Sequence, residues 1–412
     1  MLQLMKKNLM LLILFFSTQM IFSQVDFRKG FVINNSGDTI YGVINYREGS
    51  NSYKYCLYRK SLNDSIIKYT PQNIKGYGFI GDRVYESRNV LSSSQVKENE
   101  VAFFEVLTRG LITLYRFDED FYVLKGDTVF YKLYQERKES NEGGFTLVTY
   151  APKYIGYLNI LMGDSPAYVK RISDLSFNEK SLTRLVEDYN REKSFSSVSY
   201  KSGKPWTSWS VGISGGMSSS RLSFSGSEEY YYNLLGSYST STYPFIDLAV
   251  EFASPRLSER IALRADMILY NDKFTSYVRT QAYLHDTRYF TTIDITQLKI
   301  PVGLCYYFRL NKYTPYINLG ASATFQIKSD YRLLIEDNHS GVVTSYTTKK
   351  LLDPRTQGGV WGIVGVERAI SKKLAGYVEF RSGESFGFYV KSPGLSSRTT
   401  SYQVCLGIKI KQ

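Results

Sequence analysis

Between Trp206 and the C-terminus, apolar and polar residues alternate one for one in segment after segment of strand length. Period two is the mark of a strand with two unlike faces. In the first segment Trp209, Val211, Ile213 and Met217 oppose Ser210, Gly212, Ser214 and Gly216. The second sets Ile246, Leu248, Val250 and Phe252 against Asp247 and Glu251, and the third sets Ile261, Leu263, Ala265, Met267 and Leu269 against Arg264 and Asp266. The fourth is the most regular, with Leu298, Ile300, Val302, Leu304, Tyr306 and Phe308 interleaved with Lys299, Pro301, Gly303, Cys305, Tyr307 and Arg309. A fifth runs from Tyr316 to Ile327. The sixth, Val360 to Ile370, leaves its faces undecided because Trp361 and Ile363 share a side with Glu367. Leu374, Val378 and Phe380 oppose Tyr377, Glu379 and Arg381 in the seventh. The eighth, Thr400 to Lys411, opposes Tyr402, Val404, Leu406, Ile408 and Ile410 to Gln403, Cys405, Gly407, Lys409 and Lys411.

Short connections (Ser254 to Glu259, Leu310 to Tyr313, Ser371 to Lys373) alternate with long polar ones (Ser218 to Thr242, Phe274 to Asp294, Lys328 to Gly358, Glu384 to Thr399). Strands of this kind, joined in this rhythm, predict an eight-stranded antiparallel transmembrane β-barrel over residues 206–412, an all-β membrane protein. Short turns belong on the periplasmic side of such barrels and long loops outside, which places both ends of the barrel in the periplasm. The lumen of eight strands is just wide enough for its own side chains. The inward positions carry the acids Asp247, Glu251, Asp266, Glu367 and Glu379 and the bases Arg264, Lys299, Arg309, Arg381 and Lys409. This near-balance predicts a lumen plugged by ion pairs, since unpaired buried charges are expensive, and argues against a general porin.

Ahead of the barrel, the Ser-rich stretch 193–205 has no sustained period and reads as a linker. Residues 24–192 read as a periplasmic β-rich domain ending in helices. Phe31-Val-Ile-Asn34 and Thr39 to Tyr46 flank Asn35-Ser-Gly-Asp38, a hairpin signal. The runs 74–80, 83–88, 101–108, 111–117, 121–125 and 128–134 continue as a meander. The triplet Gly-Asp-Thr occurs at 37–39 and at 126–128, each time between β-prone runs, and reads as a repeated turn, since one Asp per turn is too few oxygens for calcium. The period then changes to that of a helix. Over 173–190, Leu175, Leu182, Leu185, Val186 and Tyr189 fall near one helical face, and a shorter helix is expected around 152–162.

At the N-terminus, Lys6 and Lys7 precede an apolar run from Leu9 to Phe22 and a small residue, Ser23. That arrangement reads as a secretory signal peptide over residues 1–23, too short in its apolar part for the ~20 residues of a spanning helix. Composition agrees with strands: 36 Tyr and 24 Phe stand against only 10 Pro. The formal charge is +13. A secreted chain has no nucleic acid to meet, so anionic outer-membrane lipid and lipopolysaccharide are the natural partners of that excess. Cys56, Cys305 and Cys405 are an odd number and are expected as buried free thiols.

The segment Leu298-Lys-Ile-Pro-Val-Gly-Leu-Cys-Tyr-Tyr-Phe308, followed by Tyr313-Thr-Pro-Tyr-Ile-Asn-Leu-Gly320, resembles the corresponding strands of the small outer-membrane β-barrels of Bacteroidota, the PorT-like group. The resemblance covers roughly residues 206–412. Gly30-Phe-Val-Ile33 and Gly37-Asp-Thr-Ile-Tyr-Gly-Val-Ile44 are similar to an extra β-rich domain in some members. The resemblance implies location in the outer membrane and a porin-like architecture. It implies no catalytic motif and no cofactor.

Two functional classes fit. In the first, the barrel anchors the periplasmic domain and displays extracellular loops for a periplasmic or envelope protein partner, without being an enzyme. In the second, a small-barrel enzyme acts on outer-membrane lipid or lipopolysaccharide, which needs a base beside a nucleophile at the membrane rim. There are two histidines. His285 lies beside Asp286 in a long connection, and His339 lies between Asn338 and Ser340. Tyr230, Tyr231 and Tyr232 form an aromatic group in another connection, suited to sugar stacking or to an aromatic rim. No phosphate loop, Cys-x-x-Cys pair or His-based metal motif accompanies them.

Overall fold

The computed structural model describes residues 26–90, 101–126, 130–142, 145–201, 203–226, 234–282, 285–308, 312–339, 342–349, 356–387 and 396–411. The expected signal peptide, Tyr230, Tyr231, Tyr232 and Arg309 lie outside them. The chain divides into two compact units, Met1–Pro205 and Trp206–Gln412. None of the described helices is long and apolar enough to cross a membrane.

The first unit is built on an eleven-stranded antiparallel sheet. Its strands are β1 (Phe27–Asn34), β2 (Thr39–Asn45), β3 (Cys56–Arg59), β4 (Ile67–Tyr69), β5 (Ile74–Phe79), β6 (Val84–Asn89), β7 (Val101–Arg109), β8 (Ile112–Phe117), β9 (Asp120–Lys125) and β10 (Phe130–Leu133). A separate two-stranded hairpin follows, β11 (Glu136–Glu142) and β12 (Phe145–Ala151), and β13 (Val198–Ser199) returns to the main sheet. The order β10-β9-β8-β7-β6-β5-β1-β2-β3-β4 is a meander except where β5 pairs with β1. Both Gly-Asp-Thr triplets begin at a glycine with positive φ, +101° at Gly37 and +59° at Gly126, a conformation that L side chains adopt at a cost.

The helices are α1 (Asn51–Lys54), α2 (Lys153–Met162), α3 (Ala167–Ser173) and α4 (Glu179–Glu192). The last starts later than its apolar period suggests. Asn178 is the N-cap, accepting from the Ser181 N–H at 2.9 Å, and Leu175 lies ahead of the helix. Leu182, Leu185, Val186 and Tyr189 are buried against Leu107, Ile112 and Leu114 of the sheet in one apolar core. Each such burial contributes ~1.5–3 kcal/mol. At the far end of α4 the buried Asn190 side chain accepts from the Ile112 N–H and donates to the Ile112 carbonyl, both at 2.9 Å, so the helix is bonded to β8 as if it were another strand. Asn178→Ala removes one cap bond and is expected to lower the thermal stability of the first unit by about 1 kcal/mol, read by circular dichroism.

The second unit comprises β14 (Ser208–Ser225), β15 (Ser241–Ala253), β16 (Ile261–Ala282), β17 (His285–Tyr307), β18 (Thr314–His339), β19 (Val342–Lys349), β20 (Gln357–Ala369), β21 (Leu374–Phe386) and β22 (Ser396–Lys411). Eight of these close a ring, β14-β15-β16-β17-β18-β20-β21-β22, with β22 paired back to β14 and β17 to β18, every pairing antiparallel. All eight strands expose apolar residues outward, among them Ile213, Ile246, Leu263, Leu304, Leu319, Val364, Val378 and Leu406. A closed ring with such a belt is a transmembrane β-barrel.

The long connections are not loops throughout. Residues 274–282 and 285–294 are the continuing arms of the β16–β17 hairpin, and much of 328–358 is the end of β18 and its partner β19. Alternation persists there with its polarity reversed. The inner side now carries Leu222, Phe224, Phe274, Ile293, Ile295 and Tyr331, packed together, while Arg221, Lys273, Asp294, Lys328 and Arg332 are exposed outside. Polar residues on the outer face look like loop composition, which is why the sequence reads these arms as loops. A β-bulge between Thr296 and Gln297 and their partners Lys328 and Gln326 lies at the point of reversal.

Candidate functional site

Nine of the ten lumen charges expected from the alternation are described, and all nine are buried: Asp247, Glu251, Arg264, Asp266, Lys299, Glu367, Glu379, Arg381 and Lys409. They form layers. In the middle, Arg264 binds Asp266 at 2.7 Å and also holds Glu379, while Arg381 bridges Glu379 at 2.6 Å and Asp247 at 2.7 Å. Tyr316 donates its hydroxyl to Glu379, and the Ser214 hydroxyl donates to Asp247 at 3.0 Å. Nearer the chain ends, Lys409 joins Glu251 at 3.0 Å and Glu367 at 2.5 Å, Tyr307 donates to Glu251 at 2.6 Å, and Lys411 completes the pairing of Glu367.

On the other side of the middle layer, Lys299 reaches Ser401 at 3.4 Å and lies 4.9 Å from the ring centre of Trp361. That contact settles the undecided sixth segment: Trp361, Ile363 and Glu367 face the lumen together. Asp272, with Gln297 donating to it at 3.1 Å, belongs to the same layer. The alternation does not reveal Asp272, because it lies between the last outward Leu269 and the stretch read as a loop.

Tyrosines fill what the charges leave. A Cβ on Gly365 would stand 2.5 Å from the Tyr316 ring, and one on Gly407 would stand 2.3 Å from that of Tyr377, so these glycines exist to let the rings lie flat on the wall. Gly212, Ala249, Glu251, Arg264, Tyr316, Tyr377 and Lys409 line a space too narrow for a water molecule. Around that space the charges are engaged with one another, Arg264 with Glu379 and Lys409 with Glu251.

The first unit contains a second buried charge cluster, which sequence reading missed entirely. Glu105 on β7 is fully buried and is met by Arg116 at 2.6 Å, Lys201 at 2.9 Å and Arg83 at 3.7 Å. Glu179, in the first turn of α4, takes Arg116 at 2.8 Å and Lys201 at 3.0 Å. Burial alone would raise the Glu105 carboxyl, but Lys201, Arg116 and Arg83 hold it well below the usual carboxylate range. Lys201 has φ +58°, a left-handed backbone that a lysine adopts only under constraint, and its ammonium group is fully buried.

The stretch 193–205, expected as a linker, is thus partly built into the first unit. Val198 and Ser199 pair with Arg109 and Thr108, beyond the point where β6 ends on that side of β7, and Lys201 enters the cluster. Serine-rich composition concealed this because the pairing is made by backbone, and the anchors, Lys201 on Glu105 and Glu179 and Lys204 on Asp82, meet acids far away in the sequence.

Of the loop candidates, His285 and Asp286 fall on the β17 arm and His339 on the β18 arm. His285 and His339 occupy paired positions on β17 and β18. Asp286 is engaged with Arg279 at 2.7 and 3.0 Å. Among the described residues no group of three or more His, Cys, Asp or Glu gathers as metal donors. Cys56, Cys305 and Cys405 are free and buried.

No protein-family model matches the chain, and no curated protein sequence matches it. Among solved structures, Neisserial surface protein A is similar over 50% of this chain and 97% of its own, at 11% identity and a TM-score of 0.27. Ail, the attachment invasion locus protein of Yersinia pestis, is similar over 50% of this chain and 99% of its own, at 12% identity and a TM-score of 0.23. The outer membrane protease OmpT from Escherichia coli is similar over 50% and 97%, at 10% identity and a TM-score of 0.25. The barrel assignment rests on the closed ring and its apolar belt.

Proposed function

We propose that the chain is a bacterial outer-membrane anchor protein. Its barrel is closed to flow, holds residues 24–200 in the periplasm, and presents the β16–β19 arms outside the cell for binding or envelope assembly, with no catalytic role. The observation that carries this reading is the reversal of polarity along the strands. At the end that holds Ser210 and Lys411, the barrel stops close to its apolar belt, whereas at the other end β16, β17 and β18 run on with outer faces that are mostly polar, Tyr277 and Phe290 being exposed aromatics among them. An outer-membrane barrel has short periplasmic turns and long extracellular extensions in this sense. The likeness of the 298–320 segment to PorT-like barrels of Bacteroidota supports the same compartment.

Since the three native cysteines are buried, single exposed cysteines report topology cleanly. A membrane-impermeant maleimide is expected to label Thr344→Cys on intact cells and Lys180→Cys only after the outer membrane is permeabilised; the opposite pattern refutes the orientation. In planar bilayers the folded chain is expected to give no stable conductance steps. Regular steps would show that the charged layers part to form a pore.

A further inference from the structure

The β11–β12 hairpin divides its residues by strand and not by face. A hairpin that packs on a core is apolar on alternate residues of both strands, which puts one face inside. Here β11 reads Glu136-Arg-Lys-Glu-Ser-Asn-Glu142, while β12 reads Phe145-Thr-Leu-Val-Thr-Tyr-Ala151 with no charge at all. Phe145 and Leu147 point to one face of β12 and Val148 and Tyr150 to the other. All four are exposed, Phe145 at 81% and Tyr150 at 60%. An uncharged β-prone run leaves its edge open to pairing, whereas a strand dense in Lys, Arg and Glu is the composition of a protected edge. Among the described residues, β12 has β11 on one side and no strand on the other, and the pair forms a sheet of two, a size that is marginal alone.

We propose that β12 is a dimerisation strand: its free edge pairs antiparallel with β12 of a second copy of this chain. The sequence is self-complementary for this. With Val148 opposite its own copy on the two-fold axis, Leu147 meets Thr149, Thr146 meets Tyr150 and Phe145 meets Ala151, giving β-branched, aromatic and aliphatic cross-strand pairs with no like charges opposed. The product is a four-stranded sheet, β11-β12-β12-β11, whose outer edges are both the charged β11. A foreign strand would leave an open edge of its own, whereas the two-fold arrangement closes the sheet on both sides.

The test uses the full-length chain in outer membranes and after purification into detergent. Directly opposed residues of an antiparallel pair have Cα atoms ~4.5–5.5 Å apart, within reach of a disulfide. Val148→Cys is therefore expected to form a covalent dimer on mild oxidation, and Lys138→Cys on β11 to form none. Light scattering is expected to give twice the protomer mass for the unmodified chain and the protomer mass for Val148→Lys, with heat-modifiable barrel mobility and circular dichroism unchanged. A monomeric unmodified chain overturns the proposal, as does a dimer that survives Val148→Lys. So does a photocrosslinker at 148 that captures a different protein in place of a second copy.

Discussion

Glu105→Ala is expected to destabilise the first unit by about 3–5 kcal/mol, because it leaves the buried Arg83 and Lys201 and the partly buried Arg116 without their shared carboxylate. Arg83, Arg116 and Lys201 all converge on that one carboxylate, and only Arg116 and Lys201 retain Glu179. A urea titration followed by circular dichroism is the appropriate measurement, since the barrel resists conditions that unfold a soluble sheet. The pH dependence carries the same information. A carboxyl whose folded value lies below its unfolded value stabilises fully above the unfolded range, near pH ~4.3 for Glu, and loses that contribution as pH falls toward the folded value. The Glu105 carboxyl is lowered in the folded unit. The unmodified chain should therefore lose stability progressively below about pH 4. Glu105→Ala should flatten that part of the profile, and an unchanged acid slope would show that the three cations do not act through Glu105. Lys201→Met should cost less, since Glu105 keeps both arginines.

Glu379→Ala is expected to have the matching effect on the barrel, again about 3–5 kcal/mol. Glu379 is the shared partner of Arg264 and Arg381 and the acceptor for Tyr316. Its loss leaves two guanidiniums and a tyrosine hydroxyl buried with Asp266 and Asp247 as the remaining acids in that layer. The temperature at which the barrel shifts from folded to unfolded mobility in electrophoresis should drop clearly. An unchanged transition would mean that water reaches the layer and substitutes for the carboxylate.

Period two made the barrel legible, because a one-residue slip would exchange every lumen charge for a lipid-facing side chain. Asp247, Glu251, Arg264, Asp266, Glu379 and Lys409 were assignable to the interior for that reason. Trp361 and Ile363 were not, since an aromatic ring inside a charged lumen makes sense only once Lys299 is seen above it. In the first unit the meander from β5 to β10 was visible in its apolar runs. β3, β4 and β13 were too short to carry a period, and β11 was too charged to look like a strand. The Glu105 cluster joins residues from β7, β8, α4 and the segment after it, and no spacing along the chain brings Arg116, Glu179 and Lys201 together. Such clusters belong to tertiary structure alone.

The reversal of polarity along β14, β16, β17 and β18 also fixes how deep the barrel floats. Below the reversal, Met217, Met267, Leu269 and Ile327 face outward, and immediately above it Lys273, Asp294 and Lys328 do. Sinking the barrel by one pleat would carry these ionised side chains into hydrocarbon, and raising it would expose the aliphatic belt to water. Both displacements are opposed on several strands at once. The membrane boundary is thus written into the strands as a waterline, and anything mounted on the arms above it is presented at a set height.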